Sequence, residues 1–420
     1  MRKKIYIINA KRLPACKSKG EKIPPEKGGD GIKKYPGKYA ALDSVELLSV
    51  IFKNLLETTQ IEKQDIADVL TGCAIQEAEQ GANICRLVLL TLDIPQQIPG
   101  ATINRLCGSS LSACMKGTEF LIAGQFFENN KPELVMIGGI EHMGHHDMEE
   151  LLQPTKFLYD KFGKSNIKSF SMGLTAEQLA TMYNISRKEQ EIFAYKSHLK
   201  AITAIDEGKF KNEIVAVKLP DGTLLSQDVS PRRYLSQEDA LKQFSKLKPA
   251  FKGGGTVTAA TSAPYTDGAA GLMIATETHI KRKGIKPLAE IISWASSGVD
   301  PNIMGIGPIF ATQKALLRAG IDFKQIGLIE LNEAFCSQSL ACIKQFSKDY
   351  NVAEEDVEKI TNVNGGATAL GHPLGATGAK LLTTMVHEMK RRTDVEYALV
   401  TMCIGLGQGD AMVLKRVDSV

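Results

Sequence analysis

The sequence predicts an α/β protein: a mostly parallel sheet covered by helices and built from two similar halves. Three observations lead there. Strand-like and helix-like segments alternate through the C-terminal third, the pattern of helix-covered parallel strands. A spacing recurs, because the same number of positions separates Cys107 from Gly138 as separates His372 from Cys403. Around both pairs the order is strand, glycine-rich turn, helix, strand, glycine-rich turn, so a duplicated unit would aim two turns at one shared site. At 420 residues the chain is also too long for a single core.

Taken in order, Lys4 to Asn9 reads as a strand. Lys17 to Lys38, rich in Lys, Gly and Pro, reads as a solvated loop. Leu42, Val45, Leu48, Ile51 and Leu55 recur at helical spacing and predict a helix over 40–56. Asp68 to Cys73 is a strand and Asn83 to Leu92 a helix. Ala101 to Asn104 is a short strand, followed by a sharp turn and a helix whose first residues include Cys107, Gly108, Ser109 and Ser110. Glu133 to Gly139 is a strand ending in glycines.

Leu151 to about Lys252 reads as an insertion. Within it Ser186 and Glu189 form a capping box, and Ile192, Tyr195, Leu199, Ile202 and Ile205 give a stripe expected in the core, ended by Gly208. Gly253 to Gly271 is small and polar enough for a ligand to approach the backbone, although its glycines lack nucleotide-loop spacing. Then come a strand at Leu288 to Ser293, a helix at Pro308 to Ala319 and a strand at Gly327 to Leu331. Asn332 to Phe335 opens a helix to Phe346. A short strand at Ile360 to Asn364, a helix to Met389, and strands at Glu396 to Met402 and Ala411 to Arg416 complete the chain.

A balance of 51 basic against 47 acidic residues argues against nucleic acid as the main ligand, and leaves room for a local basic patch that meets a phosphate-bearing substrate. The eight cysteines have neither disulfide-framework nor zinc-knuckle spacing and fit a reducing compartment. No apolar run reaches a membrane span. The opening MRKKIYIINAKRLP runs straight into a strand, so no targeting peptide is expected and the expected compartment is the cytoplasm. His142, His145 and His146 lack the partners of a metal motif, and no metal site is expected.

Four groups stand where a strand gives way to a turn or helix: Cys107, Asn332, His372 and Cys403. A thiol at a helix start meets backbone N–H groups and the positive end of the helix, which favour its anion. A nearby imidazole supplies a general base, and Gly371-His372-Pro373 sets one on a stiff turn. Two thiols without redox spacing suit covalent acyl transfer, one holding the acyl group and the other moving a proton. By residue type alone, Cys107 also fits a small core thiol and His372 a loop cap.

The strings NRLCGSS, GGIEHMGH, MGLTAE, NEAF, NGGATALGHPLGATGA and TMCIGLGQG occur in one order over nearly the whole chain. Together they resemble the thiolase family. The likeness is closest to the degradative 3-ketoacyl-CoA thiolases, in particular the thiolase (β) subunit of the bacterial fatty-acid oxidation complex. The resemblance implies a five-layered αβαβα fold from two similar halves, with an N-terminal half at 1–140 and 253–285, an inserted CoA-binding loop domain at 141–252 and a C-terminal half at 286–420. It implies that Cys107 attacks the keto carbon of a 3-ketoacyl-CoA while His372 takes its proton, and that Cys403 protonates the leaving acetyl-CoA enolate and later deprotonates CoA. Asn332, with a water and His372, would form one oxyanion hole; the amides of Cys107 and Gly405 would form the other.

By the same resemblance Met172, Phe251 and Phe335 line the pantetheine tunnel, Ser262 contacts CoA, and Arg232, or its neighbour Arg233, meets the adenine and phosphates. It implies CoA as co-substrate with no tightly bound cofactor, a homodimer, and a hydratase/dehydrogenase α subunit as a further partner in fatty-acid β-oxidation. The chain departs from the family pattern at Leu13, Ala260, Ala263 and Asp410, the last being an acid where an apolar residue is common. Competing readings are an acetoacetyl-CoA thiolase working in the condensing direction, a non-catalytic acyl-CoA-binding subunit, and a thiol-redox or zinc protein.

Overall fold

The computed structural model describes residues 3–18, 21–22, 33–34, 37–59, 61–146, 148, 155–162 and 171–417. Most of the lysine-rich stretch expected to be a solvated loop lies outside them. The strands of the large sheet are β1 (Ile5–Arg12), β2 (Asp68–Gly72), β3 (Gly100–Ile103), β4 (Leu134–His142), β5 (Thr266–Thr276), β6 (Ala289–Gly298), β7 (Ile326–Leu331), β8 (Tyr397–Ile404) and β9 (Gln408–Arg416). They are ordered β7-β8-β9-β6-β1-β5-β4-β2-β3, and the short strand Cys16–Lys17 pairs with β5 on the edge that carries β1, opposite β4.

The expectation of a mostly parallel sheet is corrected. Parallel pairing occurs only toward the two ends, β7 with β8 and β2 with β3 and β4. The middle, from β4 through β5, β1, β6 and β9 to β8, is antiparallel throughout. The cause is visible between β8 and β9: residues 405–407 join Ile404 to Gln408 directly, with Leu406 at φ +62° and Gly407 at φ +82°, and a hairpin can only join antiparallel strands.

The helices pack this sheet into layers. They include α1 (Ser44–Thr58), α2 (Ile84–Thr91), α3 (Ser109–Ala123), α4 (Met172–Met182), α5 (Arg187–Asp206), α6 (Gln237–Phe244), α7 (Gly307–Ala319), α8 (Cys336–Tyr350) and α9 (Thr377–Arg391). One core gathers Leu111 and Met115 of α3, Leu382 and Met385 of α9, Ile137 and Ile274 from one side, and Val400 and Met412 from the other. Helices α3 and α9 are therefore the middle layer, and α9 touches both β1 and β8. A second core packs α1 and α2 on the far face of β2, β4 and β5, and a third packs α7 and α8 on the far face of β7, β8 and β9. The two sheet regions meet through only three residue pairs of β1 and β6. The result is helix, sheet, helix, sheet, helix: five layers.

Two local expectations change. Ile360 to Asn364 is not a strand; Glu354–Ile360 is helical and only Thr361 bridges to Ile329. In α5 the Ser186–Glu189 capping box forms as expected, but the apolar stripe is not the buried face. Leu199 is 49% exposed, while Ala194, Ser197, Ala201 and Ala204 are buried. This face lies so close to the turn at Gly365 that a Cβ there would come within 2.7 Å of the Ala201 Cβ, and only small side chains fit such an approach.

The segment between β4 and β5 is anchored to β1 by Arg12, which is 1% exposed. Its guanidinium donates to both oxygens of Asp228 at 2.7 and 2.8 Å and to Glu213 at 2.6 Å. A buried charge is tolerated because it is paired in this way.

Candidate active site

The first turn of the site follows β3. Asn104 Oδ1 accepts from Leu106 N at 2.8 Å, and Leu106 takes φ +46°, a conformation uncommon for a residue with a Cβ. Ser109 Oγ donates to Leu106 O at 2.5 Å. Gly108 is the cap of α3, so Cys107 stands just before the helix and not within its first turn as expected. The nearby amides of Gly405 and of Cys107 itself pull its thiol down. Burial nevertheless outweighs these donors and pushes the thiol up to about 11. The anion that the helix start favours is thus opposed by burial, because its desolvation exceeds what two amides return.

The second turn carries His372. Gly371 has φ +85°, and His372 N donates to Thr266 Oγ1 at 3.1 Å. His372 Nδ1 lies 2.6 Å from Thr377 Oγ1, whose own proton goes to Pro373 O at 2.7 Å. Burial, with the nearby Lys380 ammonium second, pushes the imidazole down to about 3. The starts of α3 and α9 are joined, Ala379 N donating to Ser110 Oγ at 2.9 Å. The two glycine-rich turns thus do converge.

Asn332, just after β7, is fully buried. Its amide N donates to Thr401 O at 3.1 Å, and Nδ2 lies 3.4 Å from His372 Nε2. Among the described residues Oδ1 has no partner, so it is an open acceptor beside the imidazole. Cys403 is buried in a small cluster with Ala176, Val257, Met304, Ala334 and Phe335, against which Met172 packs. Burial, then nearness to Cys107, pushes the Cys403 thiol far up. A Cβ on Gly405 would lie 3.2 Å from Met172 Sδ and 3.2 Å from Leu106 Cδ1, which leaves its amide free to approach the nucleophile.

Phe251 stands edge-on to Phe335, ring centres 5.8 Å apart, and its ring covers Gly173. Phe251 stays 40% exposed where Phe335 is buried. Ser262 pairs through its backbone with Phe335, and its hydroxyl is held by Thr258 O at 2.9 Å. Arg232 lies apart from this cluster, its amide donating to His198 Nδ1 at 3.1 Å. Arg233 is tied to Asp206 at 2.5 and 2.8 Å, whereas Arg232 has no carboxylate partner among the described residues. His142 and His145 are engaged as well, His142 with Tyr39 O and His145 with Glu79 and Ala40 O.

Sequence reasoning missed the braces. Glu141 accepts from Ala74 N, Ile75 N, Gln80 Nε2 and Gly375 N at 2.7–3.2 Å, fastening the end of β2 to the turn after His372. Glu333 accepts from Ser197, Asn362 and Thr368. Asp410, in β9, accepts from Ser112 Oγ at 2.6 Å and from Arg105 at 3.2 Å, one on each side of Cys107. An acid in the middle of the otherwise apolar last strand was the available signal, since such a group needs donors once buried.

The family model for the thiolase N-terminal domain matches residues 31–278, and that for the thiolase C-terminal domain matches residues 285–416. A 3-ketoacyl-CoA thiolase of Photorhabdus laumondii is 39% identical over 417 residues, 99% of each chain. One of Yersinia pestis is 40% identical over 415 residues, covering 98% of this chain and 99% of the relative. The crystal structure of human mitochondrial 3-ketoacyl-CoA thiolase in complex with CoA superposes with a TM-score of 0.81 at 31% identity, covering 99% of this chain and 98% of that one. The acetyl-CoA acetyltransferase of Bacillus anthracis gives the same TM-score at 30% identity, with 99% of each chain covered.

Proposed function

The chain belongs to the thiolase family, and from that membership we propose that it is a 3-ketoacyl-CoA thiolase, an acyltransferase of fatty-acid degradation. It cleaves a 3-ketoacyl-CoA with CoA to acetyl-CoA and an acyl-CoA shortened by two carbons. The observation that carries the reading is the meeting of three turns: the starts of α3 and α9 are joined by Ala379 N and Ser110 Oγ, and Gly405 and the buried Cys403 lie against Leu106 and Met172 at the Cys107 turn.

Cys107 Sγ attacks the 3-keto carbon, its proton passing to His372 Nε2. The Cα–Cβ bond then breaks, leaving the acyl group on Cys107 and its electron pair in the acetyl-CoA enolate. Cys403 gives that enolate its proton. Incoming CoA returns a proton to Cys403, and its thiolate attacks the acyl-cysteine, releasing the Cys107 thiolate, which takes back its proton from His372. Each developing oxyanion needs donors in place, and one such donor is worth about 3–4 kcal/mol of barrier. The amides of Cys107 and Gly405 serve one oxygen; His372 and a water held by Asn332 serve the other. The open Oδ1 of Asn332 supports that water. Because Cys107 and His372 are both neutral at rest, the proton moves with bond formation rather than ahead of it.

Met172, Phe251 and Phe335 form the wall for pantetheine, with Ser262 behind Phe335. Arg232 is the cation for the CoA phosphates, since Arg233 is already paired with Asp206. CoA is a co-substrate, and no tightly bound cofactor enters the scheme. The organisation we propose is an N-terminal half at 1–140 and 253–285, an insertion at 141–252 and a C-terminal half at 286–420. It works as a homodimer in the cytoplasm, beside a hydratase/dehydrogenase subunit. No helix among the described residues is long and apolar enough to cross a membrane.

The test is CoA-dependent cleavage measured across 3-ketoacyl-CoAs of increasing length, which also separates this reading from a short-chain acetoacetyl-CoA thiolase. Cys107→Ala should lose acyl-enzyme formation and still bind CoA; Cys403→Ala should become acylated yet hardly turn over. Retained turnover in either variant removes that residue from the scheme.

A further inference from the structure

Beyond the roles already assigned, we propose that Thr377 is a positioning residue that fixes His372 as its Nδ1–H tautomer, leaving the Nε2 lone pair to receive the thiol proton. The inference rests on His372 being the base in the reading above. A neutral imidazole has one N–H, and the hydrogen bond made by one ring nitrogen decides what the other can do.

The hydroxyl of Thr377 has a single proton. It points to Pro373 O at 2.7 Å, so toward His372 the oxygen can only accept, at 2.6 Å from Nδ1. In this arrangement two hydrogen bonds form in series, and Nε2 is left as an acceptor facing Asn332 Nδ2 at 3.4 Å. The opposite tautomer would take the Thr377 proton away from Pro373 O. It would also set an Nε2–H against the Asn332 amide donors. One bond is broken and two donors are opposed.

The backbone holds the geometry. Thr377 is the first residue of α9, and the His372 amide is held by Thr266, so ring and hydroxyl are both fixed by main chain. Lys380, one turn further on, donates to Gly371 O at 3.1 Å and, with burial, keeps the ring neutral, the only state in which a tautomer matters. Wrong-tautomer imidazole cannot act as base, and general-base catalysis is worth about 10²–10⁴ in rate.

The experiment combines kinetics with imidazole nitrogen NMR on protein labelled at its histidine nitrogens, with His372→Gln used only to assign the signal. Near pH 7 the wild type should show His372 Nδ1 protonated and Nε2 bare. Thr377→Val should move the proton wholly or partly to Nε2 and lower kcat about 100-fold, with KM little changed. Thr377→Ser should keep both the wild-type spectrum and kcat within about threefold, on the same scale. A wild-type spectrum with the proton on Nε2 overturns the proposal. So does Thr377→Val with near-wild-type kcat, or with lost kcat and an unchanged spectrum, the mark of a merely structural role. The spectrum of the wild type needs no substrate and no variant. If the protein cleaved no 3-ketoacyl-CoA, the functional reading would fall while the tautomer was still decided.

Discussion

Replacing Asp410 by alanine should destabilise the chain by about 2–4 kcal/mol and slow acylation of Cys107. The magnitude follows from two of the groups around the carboxylate, the Ser112 hydroxyl at 2.6 Å and the Arg105 guanidinium at 3.2 Å. A hydrogen bond to a buried charged group contributes about 1.5–3 kcal/mol. The Arg105 side chain is 28% exposed, so that pair adds no more than about 1 kcal/mol. The loss falls on the nucleophile because Asp410 Oδ2 also lies against Gly108, where a Cβ would be only 3.0 Å away.

Asp410→Asn keeps an acceptor for Ser112 and should lose less than about 1 kcal/mol near pH 7. Burial holds the Asp410 carboxyl above the usual carboxylate range, against the pull of Ser112, Ser296 and Arg105. The folded chain therefore binds that proton more tightly than the unfolded one, and wild-type stability falls as pH rises from about 4 through the folded value. Asparagine has no such dependence, so the difference between the two proteins should shift in the variant's favour between pH 4 and pH 7. Urea unfolding followed by the emission of Trp294, the single tryptophan, reads the stability, and mass spectrometry of the acylated protein reads the rate. Asp410→Ala within about 0.5 kcal/mol of wild type, acylated at the wild-type rate, would refute the bracing argument.

With the Cys107 thiol pushed up to about 11 by burial, its alkylation by iodoacetamide in the free enzyme should rise close to tenfold per pH unit from 7 to 9, since only the thiolate reacts. A plateau below pH 8 would reveal a preformed thiolate–imidazolium pair instead. Arg232→Ala should raise KM for CoA about tenfold or more by removing a charged hydrogen bond, and leave kcat nearly unchanged. Arg233→Ala should leave both unchanged, because that guanidinium is held by Asp206; the reverse pattern would exchange the two arginines.

What the sequence disclosed, and what it withheld, divides along physical lines. The places of Cys107, Asn332 and Cys403 were legible because a strand ends near each of them, whereas His372 follows the short helix Ala367–Leu370 instead of the expected strand and only Gly371 marks its turn. Strand direction was not legible: alternating elements look alike whether a strand returns by a helix or by the hairpin at Gly405 to Gly407, whose Gly405 also lies against Leu106 and Met172. The α5 stripe misled because periodicity ranks faces by apolar content, whereas contact with the Gly365 turn selects small side chains. The Cys107 thiol was half legible for a related reason. The attraction of amides for an anion can be read from a motif, but the desolvation opposing it depends on everything packed around the sulfur. Least legible were the braces. Asp410 announces by its charge that donors must surround it, yet its donor Ser112 is 298 positions away, and no local pattern links them. Thr377 is the converse: five residues from His372, close enough to be read in the motif, but silent until its proton is seen to go to Pro373 O. A sequence can therefore nominate the atoms that react, while the hydrogen-bond directions that decide their protonation states belong to the folded chain.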